Sequence, residues 1–103
     1  MEMHAAKRVE ITIEAVMERR LTEALAGAGV TGWTVLPVSG GSGRSGEWSR
    51  EGQVGRAAGM VSVVCLIRPE RLDGLLEAAF AVVEEHIGVV SVSDVQILRA
   101  ERF

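Results

Sequence analysis

The spacing of hydrophobic residues switches between two periods along this chain, and the order of the switches constrains the fold strongly. In the first such segment apolar residues alternate with polar ones, as in a half-buried strand. The next segment repeats its apolar residues at helical spacing. Continued along the chain, the pattern predicts strand Arg8–Glu14, helix Ala15–Ala28, strand Trp33–Val38, strand Met60–Ile67, a helix from Pro69 to Ile87, and strand Val89–Leu98.

Glycine and proline mark several of these boundaries. Gly27 and Gly29 provide a stop for the first helix, and Pro69 suits the first turn of the second. Pro37 cannot donate a ladder hydrogen bond, so it predicts a strand end, a sheet edge or a bulge. In the last strand the alternation slips near Ser93, which predicts an interruption there.

The predicted order β-α-β-β-α-β is typical of the ferredoxin-like α+β fold. In that fold both helices cover one face of a four-stranded antiparallel sheet, and we expect one such domain over residues 1–103. The Val-rich run Met60–Ile67 predicts a central strand. Ile11, Val63 and Cys65 are candidates for the opposite sheet face, where apolar residues would favour oligomerisation.

Composition excludes several classes of function. The formal net charge of −3 offers no general attraction to nucleic acid. No apolar run approaches the roughly 18 residues that span a bilayer, and the N-terminus lacks the apolar stretch of a signal peptide. Cys65 is the only cysteine, so no intrachain disulfide is possible. We therefore expect a cytoplasmic protein that is not an integral membrane protein.

The segment Ser39–Gly59 stands apart from these elements because seven of its 21 residues are glycine. We predict a long loop, since a connection of this length is usually functional or disordered. Gly40 to Arg44 can present several backbone N–H groups beside one cation, which is the chemistry of an anion cradle. Trp48 in such a loop predicts an anchor for a partner protein, although it could instead fold back on the body.

The remaining polar residues give little indication of catalysis. His4 and His86 show no metal-ligand spacing, and we predict no metal site. The serines lack the G-x-S-x-G context of a nucleophile elbow. We therefore expect a protein that is not an enzyme and that has no tightly bound cofactor.

The segment Gly29–Arg44, GVTGWTVLPVSGGSGR, resembles a segment of PII signalling proteins that reads roughly G-[IV]-T-G-M-T-V-x-E-V-K-G-F-G-R. With the β-α-β-β-α-β order and the long segment after the second strand, the resemblance extends over nearly the whole chain. It implies a homotrimer that binds an adenine nucleotide in each of three clefts between subunits.

The resemblance also implies site residues. Thr34 and Gly40 match positions of the quoted segment, Ile67 matches an apolar residue that packs on adenine, and the last two arginines match a C-terminal phosphate-binding pair, although at a spacing of three. The implied nucleotide-binding residues are Thr34, Gly40, Gly41, Ser42, Gly43, Ile67, Gly88, Val89, Arg99 and Arg102.

Departures from the family pattern refine the expected ligand. Family members carry a Lys-containing loop after the second helix, where this chain has only the residues around Gly88. Without that lysine a γ-phosphate should be held poorly, which favours ADP or AMP over ATP. Ser45 replaces a glutamine tied to 2-oxoglutarate sensing, and the absence of tyrosine excludes uridylylation.

These departures make the chain similar to PII-like proteins of inorganic-carbon metabolism, including carboxysome-associated members. We therefore predict that the effectors are ADP or AMP together with a small anion, bicarbonate. Ser42, Gly43 and Arg44 are the predicted anion-binding residues, and Trp48, Ser49 and Arg50 the predicted contacts to an unidentified protein partner.

Other interpretations remain open at this stage. The chain could be a nitrogen-regulatory PII protein that binds ATP or ADP. It could be a trimeric, metal-binding protein of the cation-tolerance type, or a small enzyme or ACT-like domain that binds an amino acid. It could also be a scaffold trimer that needs no ligand.

Overall fold

The computed structural model describes residues 1–43, 46–49 and 59–98, and it describes 46–49 by their backbone alone. Six strands and two helices follow one another along this part of the chain. They are β1 (His4–Glu14), α1 (Glu18–Gly27), β2 (Thr34–Val38), β3 (Gly40–Gly43), β4 (Gly46–Ser49), β5 (Met60–Ile67), α2 (Leu72–Val83) and β6 (Gly88–Ile97). A short 3₁₀ turn precedes each helix, at Ala15–Met17 and at Pro69–Arg71.

The main sheet has four antiparallel strands in the order β2-β5-β1-β6. The predicted ferredoxin-like fold is therefore confirmed, with β5 in a central position and the Pro37-containing strand β2 at an edge. A sheet edge is where a residue without a backbone N–H is tolerated.

Several boundaries differ from the prediction. β1 begins at His4, and β6 runs without interruption from Gly88 to Ile97. β6 stays in register with β1 where its own alternation slips, because Ser93 pairs with Arg8 and Asp94 with Lys7. The ion pair between Lys7 and Asp94 further stabilises this pairing. Tertiary pairing therefore overrides the local sequence pattern.

Both helices are shorter than their apolar patterns predict. α2 ends at Val83, so Ile87 lies beyond the helix and is exposed. Phe80 is also exposed although it belongs to the predicted apolar stripe, and in the first 3₁₀ turn Met17 is buried in place of Val16.

The core lies between the helices and one face of the sheet. Alternate residues from Val9 to Ile13 in β1 and from Val61 to Ile67 in β5 point into it, and these residues meet apolar side chains of the helices. The fully buried members include Val9, Ile11, Ile13, Val63, Cys65, Leu21, Leu25, Leu75 and Ala79.

The assignment of Ile11, Val63 and Cys65 to the opposite sheet face is wrong. Ile11 pairs with Val63, and Cys65 pairs with Val9, so all lie on the face that the helices cover. The reason is the period of two, which places Ile11 on the same side as Val9 and Ile13. Burial raises the pKa of the Cys65 thiol to about 11.

The opposite sheet face carries a mixture of polar and apolar side chains. Arg8, Glu10 and Ser62 form its polar centre, while Leu36 and Leu66 remain exposed. We call this surface the open face.

The glycine-rich segment contains regular structure that the sequence reading missed. Gly40–Gly43 and Gly46–Ser49 pair as an antiparallel hairpin, with Gly41 opposite Trp48. The prediction of a continuous loop over Ser39–Gly59 is therefore wrong for its first half. Strand pairing uses backbone hydrogen bonds, so glycine residues can form a ladder without side chains. Residues 50–58 lie outside the described part of the chain.

Within the described ranges, no helix is long and apolar enough to cross a bilayer.

Candidate functional site

A small cleft opens where three chain segments meet at one end of the main sheet. The turn after α1 forms one wall, the end of β5 forms another, and the turn that leads into α2 completes it. Its volume is about 50 Å³, and its lining residues are Gly29, Val30, Thr31, Gly32, Leu66, Ile67, Arg68 and Arg71. We call it the Arg71 cleft.

Gly29 shapes this cleft through its backbone. It has a φ of 91°, a left-handed conformation that glycine adopts without strain. The guanidinium Nη1 of Arg71 lies 3.5 Å from the Gly29 carbonyl oxygen, and a Cβ at position 29 would come within 2.9 Å of the same nitrogen. A side chain at position 29 would therefore displace the end of Arg71, and the positive φ favours glycine there in any case.

Of the predicted nucleotide-binding residues, Ile67 lies in the wall of this cleft and is almost fully buried. Thr34 begins β2 and pairs with Val64, so its exposed side chain lies on the open face. Arg68 and Arg71 were not predicted as site residues. The two arginines beside Pro69 were available as a signal in the sequence, but only the fold brings them against the turn after α1.

A second group of predicted residues lies at the other end of the sheet. Gly88 pairs with Ile13 and Val89 with Thr12 in the edge strand β6, whereas β2 ends and β3 begins at the same end of the sheet but at its opposite edge. Gly40, Gly41, Ser42 and Gly43 form β3 at this end, and all are exposed. This group contains both the glycine-rich strand and the turn after α2.

The two groups do not meet within one chain. Ile67 pairs with Lys7, whereas Gly88 pairs with Ile13 six positions further along β1. At a rise of about 3.4 Å per residue, the separation is about 20 Å. In one isolated chain, a single ligand of nucleotide size therefore cannot contact both groups at once. A second copy of the chain would have to supply one of the two groups.

Gly88 is closely packed between β1 and α2. A Cβ there would lie 2.9 Å from Cγ1 of Val83 and 3.0 Å from the carbonyl oxygen of Thr12. The close approach of β1 and α2 is enough to explain glycine at this position, with no need for a role in ligand binding.

The turn that leads from α2 to Gly88 approaches β1 through His86. Its Nδ1 lies 3.7 Å from Oε1 of Glu14, and its backbone N–H donates to the Val83 carbonyl oxygen at 2.9 Å. Glu84 and Glu85 in the same turn are exposed. The turn therefore carries two carboxylates and one histidine where a phosphate contact was predicted.

A polar network occupies the centre of the open face. The Ser62 hydroxyl donates to Oε2 of Glu10 at 2.6 Å, and Nη1 of Arg8 donates to Oε1 at 3.3 Å. The hydrogen bond from Ser62 and, to a smaller extent, the nearby Arg8 lower the pKa of Glu10. Because Ser62 is buried, this network fixes the carboxylate in one position.

The other predicted site residues are placed only in part. Ser42 and Gly43 lie in β3, and the backbones of Trp48 and Ser49 lie in β4. Arg44, Arg50, Arg99 and Arg102 lie outside the described residues. Among the described residues, no group of three or more His, Cys, Asp or Glu side chains could hold a metal ion.

Comparison with protein families gives a match over residues 6–102, to the family described as nitrogen regulatory protein P-II. No curated protein matches the sequence significantly.

Solved structures of CPII from Thiomonas intermedia, a nitrogen regulatory PII-like protein, are similar to this chain. One, bound to ADP, AMP and bicarbonate, has 27% identity and a TM-score of 0.89, covering 99% of this chain and 96% of the other. Another, bound to ADP and bicarbonate, has 28% identity and a TM-score of 0.85, covering 99% and 97%. The apo form has 26% identity and a TM-score of 0.72, covering 93% and 95%.

Proposed function

Since the chain belongs to the nitrogen regulatory protein P-II family, we propose that it is a regulatory protein that senses an adenine nucleotide together with a small anion. ADP or AMP is the nucleotide, and bicarbonate is the anion. The observation that carries this proposal is the similarity, over nearly the full length of both chains, to CPII bound to ADP, AMP and bicarbonate.

The nucleotide binds between copies of the chain in a homotrimer. The separation of about 20 Å between the Ile67 group and the Gly88 group supports this arrangement, because one chain cannot supply both halves of a nucleotide site. The exposed Leu36 and Leu66 of the open face provide apolar surface for contact with another copy. Sedimentation at two protein concentrations tests it, and a monomer at micromolar concentration would rule it out.

The chemistry of the turn after α2 favours a nucleotide with few phosphates. Glu84 and Glu85 are exposed there, and the turn has no lysine. A triphosphate brought to this turn would meet like charge without a compensating ammonium group. We therefore expect ADP and AMP to bind more tightly than ATP, whereas a nitrogen-regulatory PII protein would favour ATP or bind both.

Signalling to a protein partner in inorganic-carbon metabolism proceeds through the segment Ser39–Gly59. The hairpin of β3 and β4 starts one residue after β2, at the same end of the sheet as Gly88, so a ligand that binds against β2 at that end would contact the base of the hairpin. Ligand binding then changes which conformation of the segment is populated, which requires the ligand to prefer one of them. Trp48 is the proposed anchor for the partner, and a carboxysome-associated location remains a prediction.

Isothermal titration with AMP, ADP, ATP and cyclic AMP, each with and without bicarbonate, tests the proposal. We expect ADP or AMP to bind and bicarbonate to strengthen the binding. By linkage, the nucleotide must then strengthen bicarbonate binding by the same factor. Absence of binding by all four nucleotides would overturn the proposed function, and stoichiometric binding of copper or zinc would instead support the cation-tolerance type.

A further inference from the structure

We propose that the ion pair between His86 and Glu14 is a pH-sensitive link between the turn after α2 and the end of β1. When the imidazole is protonated, the link holds the turn against β1, and when the imidazole is neutral, the link is lost. The arrangement lies within one chain and involves no ligand. The proposal therefore goes beyond the proposed function and does not depend on it.

The distance between the two side chains makes their contact depend on the charge of the imidazole. Nδ1 of His86 lies 3.7 Å from Oε1 of Glu14. This separation is too long for a hydrogen bond from a neutral imidazole. It is short enough for attraction between an imidazolium and a carboxylate. Protonation therefore converts a weak polar contact into an ion pair, and histidine is the side chain whose charge ordinarily changes between about pH 5 and 8.

The backbone of the turn positions the imidazole beside β1. α2 ends at Val83 and β6 begins at Gly88, so only four residues connect the two elements. Within the turn, the N–H of His86 donates to the Val83 carbonyl oxygen at 2.9 Å. The side chains of His86 and Glu14 are 32% and 36% exposed. A proton can therefore reach the imidazole, while water screens the pair less than it would on a fully exposed surface.

Acidic residues surround the turn in the sequence and in the fold. They are Glu14 of β1, Glu84 and Glu85 of the turn, and Glu18 at the start of α1. The residue of β5 opposite the end of β1 is the uncharged Met60. Arg19 and Arg20 are exposed on α1, where Arg19 pairs with Glu23. The turn also follows the C-terminal end of α2, whose dipole favours a cation, so these surroundings attract an imidazolium when it forms.

The end of β1 is also the place where the glycine-rich segment returns to the sheet. The N–H of Ala15 donates to the Gly59 carbonyl oxygen at 3.1 Å. Glu14 pairs with Met60, the first residue of β5. The turn after α2 and this return point therefore contact β1 and the 3₁₀ turn at neighbouring residues. A change in the charge of His86 acts at the position where both are attached.

A double-mutant cycle at two pH values tests the link. Glu14→Gln, His86→Gln, the double variant and wild type are unfolded in urea, without ligand and at one protein concentration. At about pH 5.5 we expect the two substitutions to be coupled by about twofold to fivefold in the equilibrium constant of unfolding, as for a partly exposed ion pair. At about pH 8 we expect no coupling, because the imidazole is then neutral. Absence of coupling at the lower pH, or equal coupling at both, overturns the proposal.

Amide NMR spectra of the same proteins add a local measurement. As the pH is varied, the Ala15 amide resonance of wild type should shift together with the ring protons of His86, and Glu14→Gln should abolish this shift. Glu85→Gln removes the same charge from the turn but leaves the contact with Glu14, so it should keep the shift. His4→Gln, which removes the other histidine, should also keep it. An Ala15 amide that does not follow the His86 ring, or follows it equally in Glu14→Gln, overturns the proposal.

Discussion

Replacement of Gly88 by alanine should destabilise the protein, because the new Cβ has no room between β1 and α2. It would lie 3.0 Å from the backbone carbonyl oxygen of Thr12, which cannot move without shifting β1, and 2.9 Å from Cγ1 of Val83. Forced packing of this kind costs about 1–3 kcal/mol, and loss of glycine's freedom in the unfolded chain returns about 0.4–1 kcal/mol. We therefore expect a net loss of about 1–2 kcal/mol.

The matched control is Gly74→Ala in α2, where a Cβ would meet nothing within 4 Å. Alanine is the better helix former by about 0.5–1 kcal/mol, so this variant should be more stable than wild type. The same glycine-to-alanine change is thus expected to lower the free energy of unfolding at position 88 and to raise it at position 74.

Urea unfolding without ligand, at one fixed protein concentration, measures both variants. The concentration must be fixed because association of the folded chain would add to its apparent stability. For a domain of this size, 1 kcal/mol corresponds to a shift in Tm of about 4–8 °C. If Gly88→Ala unfolds at the same urea concentration as wild type or a higher one, the close approach to Thr12 is refuted.

Three more substitutions or reactions test other contacts. The Ser62 hydrogen bond lowers the pKa of Glu10, so the ionised carboxylate stabilises the folded state at pH values above its unfolded-state pKa, and this contribution disappears as the pH falls through the lowered pKa. Ser62→Ala should therefore reduce the loss of stability between neutral and acidic pH. An unchanged pH profile of urea unfolding would contradict this. Burial raises the pKa of Cys65 to about 11, so the thiol should react with a disulfide reagent at mildly alkaline pH only after denaturant is added, and rapid reaction of the folded protein would show that the site is open. Gly29→Ala must place a Cβ at a φ of 91° and against Arg71, so it should cost about 1–2 kcal/mol in urea unfolding, whereas Gly27→Ala, with nothing within 4 Å, should not destabilise.

The structure brings the predicted site residues together only in part. Ile67, which the resemblance assigns to adenine, lies in the wall of the cleft at the end of β5. Arg71 was not singled out, because its role depends on the turn at Gly29, 42 residues earlier in the chain. The hairpin of β3 and β4 was missed for a different reason: a strand made of glycine and serine has no alternating pattern to detect.

The sequence by itself determined the order of the main strands and helices and most of the core. Hydrophobic period and the positions of glycine and proline are local properties, and the bounds Met60–Ile67 follow from them directly. The same period of two should have placed Ile11 and Val63 beneath the helices, as the structure does. Only the tertiary structure decided which ends of the elements meet, because register and strand order depend on contacts between residues far apart in the chain. Those contacts place Ile67 and Gly88 at opposite ends of the sheet and bring Arg71 against Gly29.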